Sequence, residues 1–542
     1  MKIKHLYLLL TFLSLNFVTL AQNYDVIVYG SSSAGVIAAV QSAKMGKKTL
    51  LISTDNHIGG LTASGLGATD INKCNFIGGL SRVFYQKVYN YYLNQDTWTS
   101  DVREDYFVGL GKKIFGGRNE SLQMQWVFEP KVAQKIFADM LAEAKVEVVL
   151  NQRILLNNKG VTKKRGKIVS IHMESGNTYS AKMYIDATYE GDLMAKTGVS
   201  YTLGRESNKQ YGETLNGVLP AKIMSVTSDG KSINPYLEQG NPKSGLLPFI
   251  ESKVPGKTGT SDKRVQAYCY RFTLTRDSAN RRVIDKPENY NPLWFELYGR
   301  MFEQKKSMKL PLTLSVLPNK KTDTNHADFI GASYGWAEAT YKQRAVIAQM
   351  HKDFALGKVW FLSNDPRVPK RIRDEMKQYG LPKDEFTDND NFPFQIYVRE
   401  ARRMVGNYVM REQNIAGKES APESVGLGTY WLDSHVVSHF VDKKGQLWIE
   451  GTFWKNGDVY PIAYKSIVPK AKECTNLLVP VCLSSTHAAY GSIRMEPVYM
   501  VLGQSAATAA CMAIDENVDI QALSYQKLEQ QLLNDKQILQ KK

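Results

Sequence analysis

Hydrophobic and polar positions follow two rhythms along this chain, and the architecture changes where the rhythm changes. Tyr24-Asp25-Val26-Ile27-Val28-Tyr29 is a short apolar run that reads as a buried strand, and the small apolar residues Val36-Ile37-Ala38-Ala39-Val40 read as a buried helix ending near Gly46. Thr49-Leu50-Leu51-Ile52-Ser53 supplies a second strand, so residues 24–53 predict a βαβ unit. Pro130 stands where a first helical residue would, and Val132, Ile136, Phe137, Met140, Leu141 and Ala144 recur at helical spacing before a strand at 146–150. Residues 167–173 and 177–182 read as a small hairpin, and 183–187 as a separate buried strand entering Thr188-Tyr189-Glu190-Gly191-Asp192. Between about 206 and 464 the βα rhythm lapses, which predicts an inserted domain; within it, residues 394–408 read as a helix. Residues 476–481 are strand-like. Pro497 then opens a helix whose Gly503, Ala506, Ala507, Ala509 and Ala510 permit close packing, so the C-terminal segment is expected to rejoin the N-terminal one.

Gly30-Ser31-Ser32-Ser33-Ala34-Gly35 joins the first strand to the first helix without spare residues. Gly30 allows the sharp turn and Gly35 lets the helix lie close on its strand, while the helix N-terminus offers unpaired N–H groups and a partial positive charge to a pyrophosphate. Ser32 replaces the middle glycine of the G-x-G-x-x-G pattern, so the loop reads either as a nucleotide site or as a tightly packed turn of another α/β protein. Ser53 stands where an acidic residue would bind ribose hydroxyls; it can donate one hydrogen bond but cannot accept two as a carboxylate does. The glycine-dense run from His57 to Gly67 has no period, so its backbone either approaches a cofactor edge or forms an ordinary surface loop.

Met1-Lys2-Ile3-Lys4-His5 followed by an apolar stretch and Thr19-Leu20-Ala21 has the pattern of a secretory leader, shorter than a membrane span. Export as a periplasmic or secreted protein is the expectation, with no membrane span. The formal charge is +16, or +14 once Lys2 and Lys4 are removed, yet basic residues are scattered and form no stripe suited to nucleic acid. Five cysteines, none in C-x-x-C spacing, exclude a cluster or structural zinc site; Cys474 and Cys482 are a candidate bridge, and no metal site is expected.

Taken together, residues 29–39, 57–70, Phe128-Glu129-Pro130, 185–193, 397–403 and 485–504 resemble the secreted FAD-dependent oxidoreductases of the two-dinucleotide-binding-domain flavoprotein class, many of which carry the label "xanthan lyase" in polysaccharide-digesting bacteria. The resemblance implies an α/β fold: a Rossmann-like FAD-binding domain assembled from N- and C-terminal segments, with an inserted α+β substrate domain. The implied division is leader 1–21, FAD-binding parts 22–205 and 465–515, insertion 206–464 and a helical tail 516–542. It further implies FAD contacts at Gly30, Ser31, Ser32, Ser33, Ala34, Gly35, Ser53, Gly59, Gly60, Leu61, Val148, Ala187, Asp192, Arg494, Pro497 and Val498. The expected partner is a small-molecule or oligosaccharide substrate, neutral or acidic, together with an electron acceptor the sequence does not name.

Oxidation of an alcohol needs a base near neutral pKa, which suits histidine. His487, on the stretch approaching the flavin, leads; His435 is second, and each has an equal reading as a structural histidine. Arg494, just before the C-terminal helix, is a candidate positive charge for the flavin or one half of an ion pair with Glu496 or another carboxylate. Arg399, Arg402 and Arg403 would share a face of the expected helix, as an anion clamp or as a structural network with Glu400. The favoured function is oxidation of a hydroxyl in a sugar or uronic-acid compound. A lyase with a non-redox flavin, and a carbohydrate-binding protein that has lost FAD, are the alternatives.

Overall fold

The computed structural model describes residues 22–110 and 116–541, so the leader lies outside the described residues. The chain opens with β1 (Gln22–Tyr29), α1 (Ser33–Lys44) and β2 (Thr49–Ile52), the expected βαβ unit. After α2 (Gly79–Tyr91) come α3 (Pro130–Glu143), begun by its proline, and β3 (Glu147–Val149). A three-stranded antiparallel meander follows: β4 (Val161–Lys164), β5 (Lys167–His172) and β6 (Thr178–Asp186).

These strands form one sheet in the order β3-β2-β1-β6-β5-β4. The pairs β1–β2, β1–β6 and β2–β3 are parallel, whereas β4–β5 and β5–β6 are antiparallel. Residues 178–186 are one strand, not a hairpin arm plus a separate strand. β1 pairs along nearly its whole length, so nothing breaks it at 182–183.

The stretch from 206 to 464 contributes a three-stranded antiparallel sheet of β7 (Phe272–Thr275), β8 (Thr313–Leu317) and β9 (Lys321–Asn325), the long helix α4 (Tyr341–Asn364), and the short ladder β10 (Leu432–Ser434) with β11 (Phe453–Lys455). Its helix at 394–408 does not form. Those residues are irregular apart from the two-residue strand Arg403–Met404, which pairs with Tyr201–Thr202. The arginine spacing that suggested a helix is instead satisfied by carboxylates from remote segments, a tertiary pairing that overrides local pattern.

The chain returns as β12 (Leu477–Leu478), parallel to β6, followed by α5 (His487–Ile493) and α6 (Glu496–Asp515), with α7 (Tyr525–Asn534) in the tail. α6 lies on α1 so closely that a Cβ on Gly503 would come 2.3 Å from the Ala34 carbonyl oxygen. It is long and apolar enough to cross a membrane, which the sequence pattern did not signal, but 89% of that stretch is buried inside this fold.

The period of two in β1 decides the core. Val26 and Val28 point into a cluster that also contains Tyr268, Phe354 and Leu502, so residues of the 206–464 stretch and of the α/β layer share one core. Ile27 and Tyr29 point the other way, into a smaller cluster with Leu50, Ile52 and Tyr184. All five cysteines are free thiols, so the candidate Cys474–Cys482 bridge is absent.

Candidate functional site

Two regions carry the chemistry. The first is the turn between β1 and α1. Gly30 has φ 101°, and a Cβ there would come 2.6 Å from the Thr188 amide nitrogen; a Cβ on Gly35 would come 1.9 Å from the Gly30 carbonyl oxygen. Both glycines are thus required by the chain's own close approach. Ser32 caps α1 by accepting from the Gly35 N–H at 3.3 Å and donates to the Ala187 carbonyl at 2.6 Å. Ser31 and Ser53 meet hydroxyl to hydroxyl at 2.7 Å and share the His57 carbonyl. Gly59 donates its N–H to the Ser31 carbonyl at 2.7 Å, and the Leu61 N–H donates to the Tyr189 hydroxyl at 2.9 Å.

Between these loops lies a groove of about 30 Å³, lined by Gly30, Ser31, Ser32 and Gly60 on one side and His57, Phe394 and Gln395 on the other. The His57 and Phe394 rings stack at 3.8 Å, and His57 Nε2 lies 3.0 Å from Asp388. Deeper in, the buried Glu496 carboxylate accepts from Ser33 Oγ at 2.5 Å, Thr62 Oγ1 at 2.7 Å and Tyr189 Oη at 2.8 Å. Burial raises its pKa against the lowering pull of those hydroxyls.

The second region is a cavity of about 350 Å³ between β10, β11 and the end of β9. His435 Nδ1 lies 2.6 Å from Asp328 Oδ2, and the Arg399 guanidinium lies 2.9 Å from the other Asp328 oxygen. Burial pushes the Asp328 carboxyl up, but Arg399 and His435 outweigh it and hold it well below the usual carboxylate range. Arg494 donates to Tyr397 Oη at 2.6 Å and to Asp433 Oδ2 at 3.0 Å, so its carboxylate partner is Asp433 and not Glu496. Burial raises the Tyr397 phenol to about 12, with Arg494 the largest opposing influence. Arg271 is held by Asp323, and Tyr430 reaches Asp70 at 3.3 Å. His326, at φ 66°, carries a left-handed backbone at the cavity wall, and Lys358 donates to its carbonyl at 2.7 Å. Such a conformation in a non-glycine residue costs roughly 1–3 kcal/mol and clusters at functional sites.

The sequence candidates therefore divide. His435 and Arg494 line the cavity. His487 does not: it is buried behind Ser434, with Nδ1 2.8 Å from Glu400, whose other partner is Arg403 at 2.9 Å. Arg399 is fully buried and reaches the cavity through Asp328 and through the Tyr397 ring, whose centroid lies 4.7 Å from its guanidinium, while Arg402 binds Asp192 at 2.8 Å and Glu338 at 3.0 Å. No common arginine face exists. Asp192 itself is closed by Arg344 and Arg402, and Val148 pairs with Leu51 in the sheet; neither lines the groove. Pro497 and Val498 are buried in the first turn of α6, where the Pro497 carbonyl accepts from Ser81.

Sequence reading missed Asp328, Asp433, Tyr397 and Glu496. Asp433 had a signal, lying two residues from His435 in an alternating strand; Asp328 had none. Elsewhere, Glu129, Asp384 and Glu385 converge as metal ligands would, but the Lys321 ammonium already lies 2.7 Å from each.

Residues 25–532 match the family model described as FAD dependent oxidoreductase. The chain belongs to this family. It is an FAD-dependent oxidoreductase with a Rossmann-like FAD-binding fold, and its cofactor is FAD. No curated protein matches it. Among solved structures it is similar to a geranylgeranyl bacteriochlorophyll reductase-like protein from Thermoplasma acidophilum, at 14% identity over 95% of this chain and 85% of that one, with TM-score 0.35. It is also similar to L-proline dehydrogenase from P. horikoshii, at 18% identity over 35% of this chain and 59% of that one, with TM-score 0.23. L-amino acid deaminase from Proteus vulgaris gives 13% identity over 35% and 53%, with TM-score 0.23. The chain thus spans little more than half the length of the dehydrogenase and the deaminase.

The residues fit FAD at the turn in the left-handed Gly30 and the helix N-terminus that follows it, while the Ser33 and Thr62 hydroxyls beside them both donate to Glu496 Oε2. They depart from the common pattern at the ribose, where Ser53 already pairs with Ser31 and Asp55 accepts from the His57 N–H at 2.8 Å.

Proposed function

We propose that this flavoprotein oxidises a hydroxyl of a sugar or uronic-acid compound, with His435 as the base, and that it acts outside the cytoplasm after export through residues 1–21. The single observation that carries the reading is the Arg399–Asp328–His435 chain opening on a cavity rich in charged and hydroxyl-bearing side chains. An ionised carboxylate only accepts hydrogen bonds, so the Asp328 contact takes a proton on His435 Nδ1, and Nε2, 3.9 Å from Asp433 Oδ2, is the nitrogen left to act as the base. Nε2 then takes the proton of a substrate hydroxyl, and Asp328 stabilises the imidazolium that results.

Arg494, Tyr397, Asp433 and Asp70 offer alternating donors and acceptors, the pattern that orients a molecule with several hydroxyls. Arg494 and Arg271 also suit a carboxylate on such a molecule. When bound, FAD supplies the two-electron acceptor, with Gly30 to Gly35, Ser33 and Thr62 as the residues that would hold its phosphates. The sugar assignment draws on the family resemblance, the leader and this donor pattern together.

Anaerobic mixing of the FAD-loaded protein with paired neutral sugars and uronic acids is the test. Bleaching of the flavin absorbance by members of that panel is expected. Failure of every sugar and uronate to bleach a flavin that dithionite still reduces would overturn the reading. Export predicts a mature chain beginning at Gln22 outside the cytoplasm; an intact Met1 on cytoplasmic protein would remove that part.

A further inference from the structure

We infer that Glu496 occupies the anion hole that the FAD diphosphate requires, so that cofactor binding obliges this carboxylate to take up a proton or to withdraw. Glu496 is 2% exposed, and no cation pairs with it among the described residues. An ionised carboxylate so placed is costly unless something else stabilises it. Here two helices do so: Ser33 is the first residue of α1, Glu496 is the first residue of α6, and both N-terminal ends meet at the carboxylate. Three hydroxyls complete the hole, and one of them, Ser33, belongs to the phosphate-binding turn itself. The protein has placed its own anion where two helix N-termini attract one.

The groove beside it agrees. About 30 Å³ is room for roughly one water, far short of a dinucleotide. The Gly59–Ser31 hydrogen bond fixes one side of it and the His57–Phe394 stack fixes the other. A diphosphate brought among the same hydroxyls would face a like charge at low dielectric, which disfavours ionised Glu496. The groups around Glu496 do not titrate in its place. Tyr189 donates to it, and Tyr85 of α2 and Tyr499 of α6 lie within electrostatic reach; burial raises all three phenols above their ordinary value. Arg494, two residues away in sequence, is engaged by Tyr397, Asp433 and Gln266.

The test uses full-length apoprotein, wild type and Glu496→Gln, titrated with FAD, ADP and riboflavin across about pH 5.5–8.5, with binding read by flavin fluorescence and calorimetry. Wild-type affinity for FAD and ADP is expected to rise as pH falls, by up to about tenfold per unit for one coupled proton. E496Q should bind both about tenfold tighter or more near pH 8, lose the pH slope, and leave riboflavin, which has no phosphate, unchanged. Weaker or unchanged FAD and ADP binding in E496Q would overturn the inference. So would an effect shared equally by riboflavin, which would place the carboxylate at the other end of the cofactor. Should E496Q fail to fold by circular dichroism, the wild-type pH slope with ADP decides: a flat or opposite slope overturns the proposal.

Discussion

The molecule contains the same three-part device twice. Arg403, Glu400 and His487 form one arginine–carboxylate–imidazole chain, and Arg399, Asp328 and His435 form the other, with matching contacts of 2.8–2.9 Å and 2.6–2.9 Å. They are neighbours in space, since Ser434 beside His435 reaches His487 Nε2 at 3.5 Å. Only access separates them: the His435 side chain is 14% exposed and opens on the cavity, and the His487 side chain is 1% exposed. A base must reach its substrate, so the geometry of a charge chain says little about catalysis until its free nitrogen is traced to solvent.

His435→Ala is the widest test of this contrast. It should slow anaerobic flavin reduction by about 10²–10⁴-fold, the usual worth of a general base, with flavin content and urea midpoint little changed. His487→Ala should do the reverse. Removing His487 leaves Glu400 with Arg403 and the Gln266 N–H alone, so urea unfolding should lose less than the roughly 3–5 kcal/mol of a fully stranded buried charge, with the reduction rate of the folded fraction retained. If the rate fell with His487 and the stability with His435, the roles would be exchanged.

This division was only half legible in the sequence. Gly30, Gly35 and the small residues of α6 could be read because each is demanded by a contact of defined local chemistry: a turn, a helix start, a close helix crossing. Which histidine faces a cavity is different, because His435 meets Asp328 across 107 residues and His487 meets Glu400 across 87. No hydropathy pattern encodes such a distance. The arginines at 399 and 402 misled for the same reason, since their spacing is helical and their partners Asp328, Asp192 and Glu338 are remote, while Arg403 keeps the local partner Glu400 that the alternative reading offered. For Arg494 the sequence offers Glu496 or another carboxylate as an ion-pair partner; that partner is Asp433, and Glu496 binds Ser33, 463 residues away.

Acid should erode the buried chain in a defined window. Burial raises Glu400, but His487 and Arg403 more than offset it and hold the carboxyl at about 2, below its ordinary 4.5. A depressed folded pKa adds stability that is present above pH 4.5 and is lost as pH falls through about 2. Glu400→Gln should therefore be less stable than wild type near neutrality and converge with it in acid, by a few kcal/mol at most. Parallel unfolding curves across that window would show that the pair carries no such linkage. Asp328→Asn should act over a lower window, which opens at the ordinary 3.8 and runs further into acid, and should in addition impair flavin reduction, because its chain ends in the cavity.

The smallest expected effect concerns the arginine at the head of the open chain. Arg399 does not line the cavity, so its influence on substrate passes through Asp328 and His435 and through the Tyr397 ring it lies over. Arg399→Lys keeps the charge and loses the planar fork, so the carboxylate should stay ionised while its grip on His435 loosens. The flavin-reduction rate should fall about three- to tenfold, equivalent to roughly 1 kcal/mol, and by the same factor for a neutral sugar and its uronic acid. Equality is the informative part. A loss confined to the acidic member, seen as a raised KM, would mean that the guanidinium touches the substrate carboxylate directly, and Arg399 would then belong to the binding surface with Arg494. An equal loss in kcat leaves it as a positioning residue, the counterpart of Arg403 in the sealed chain.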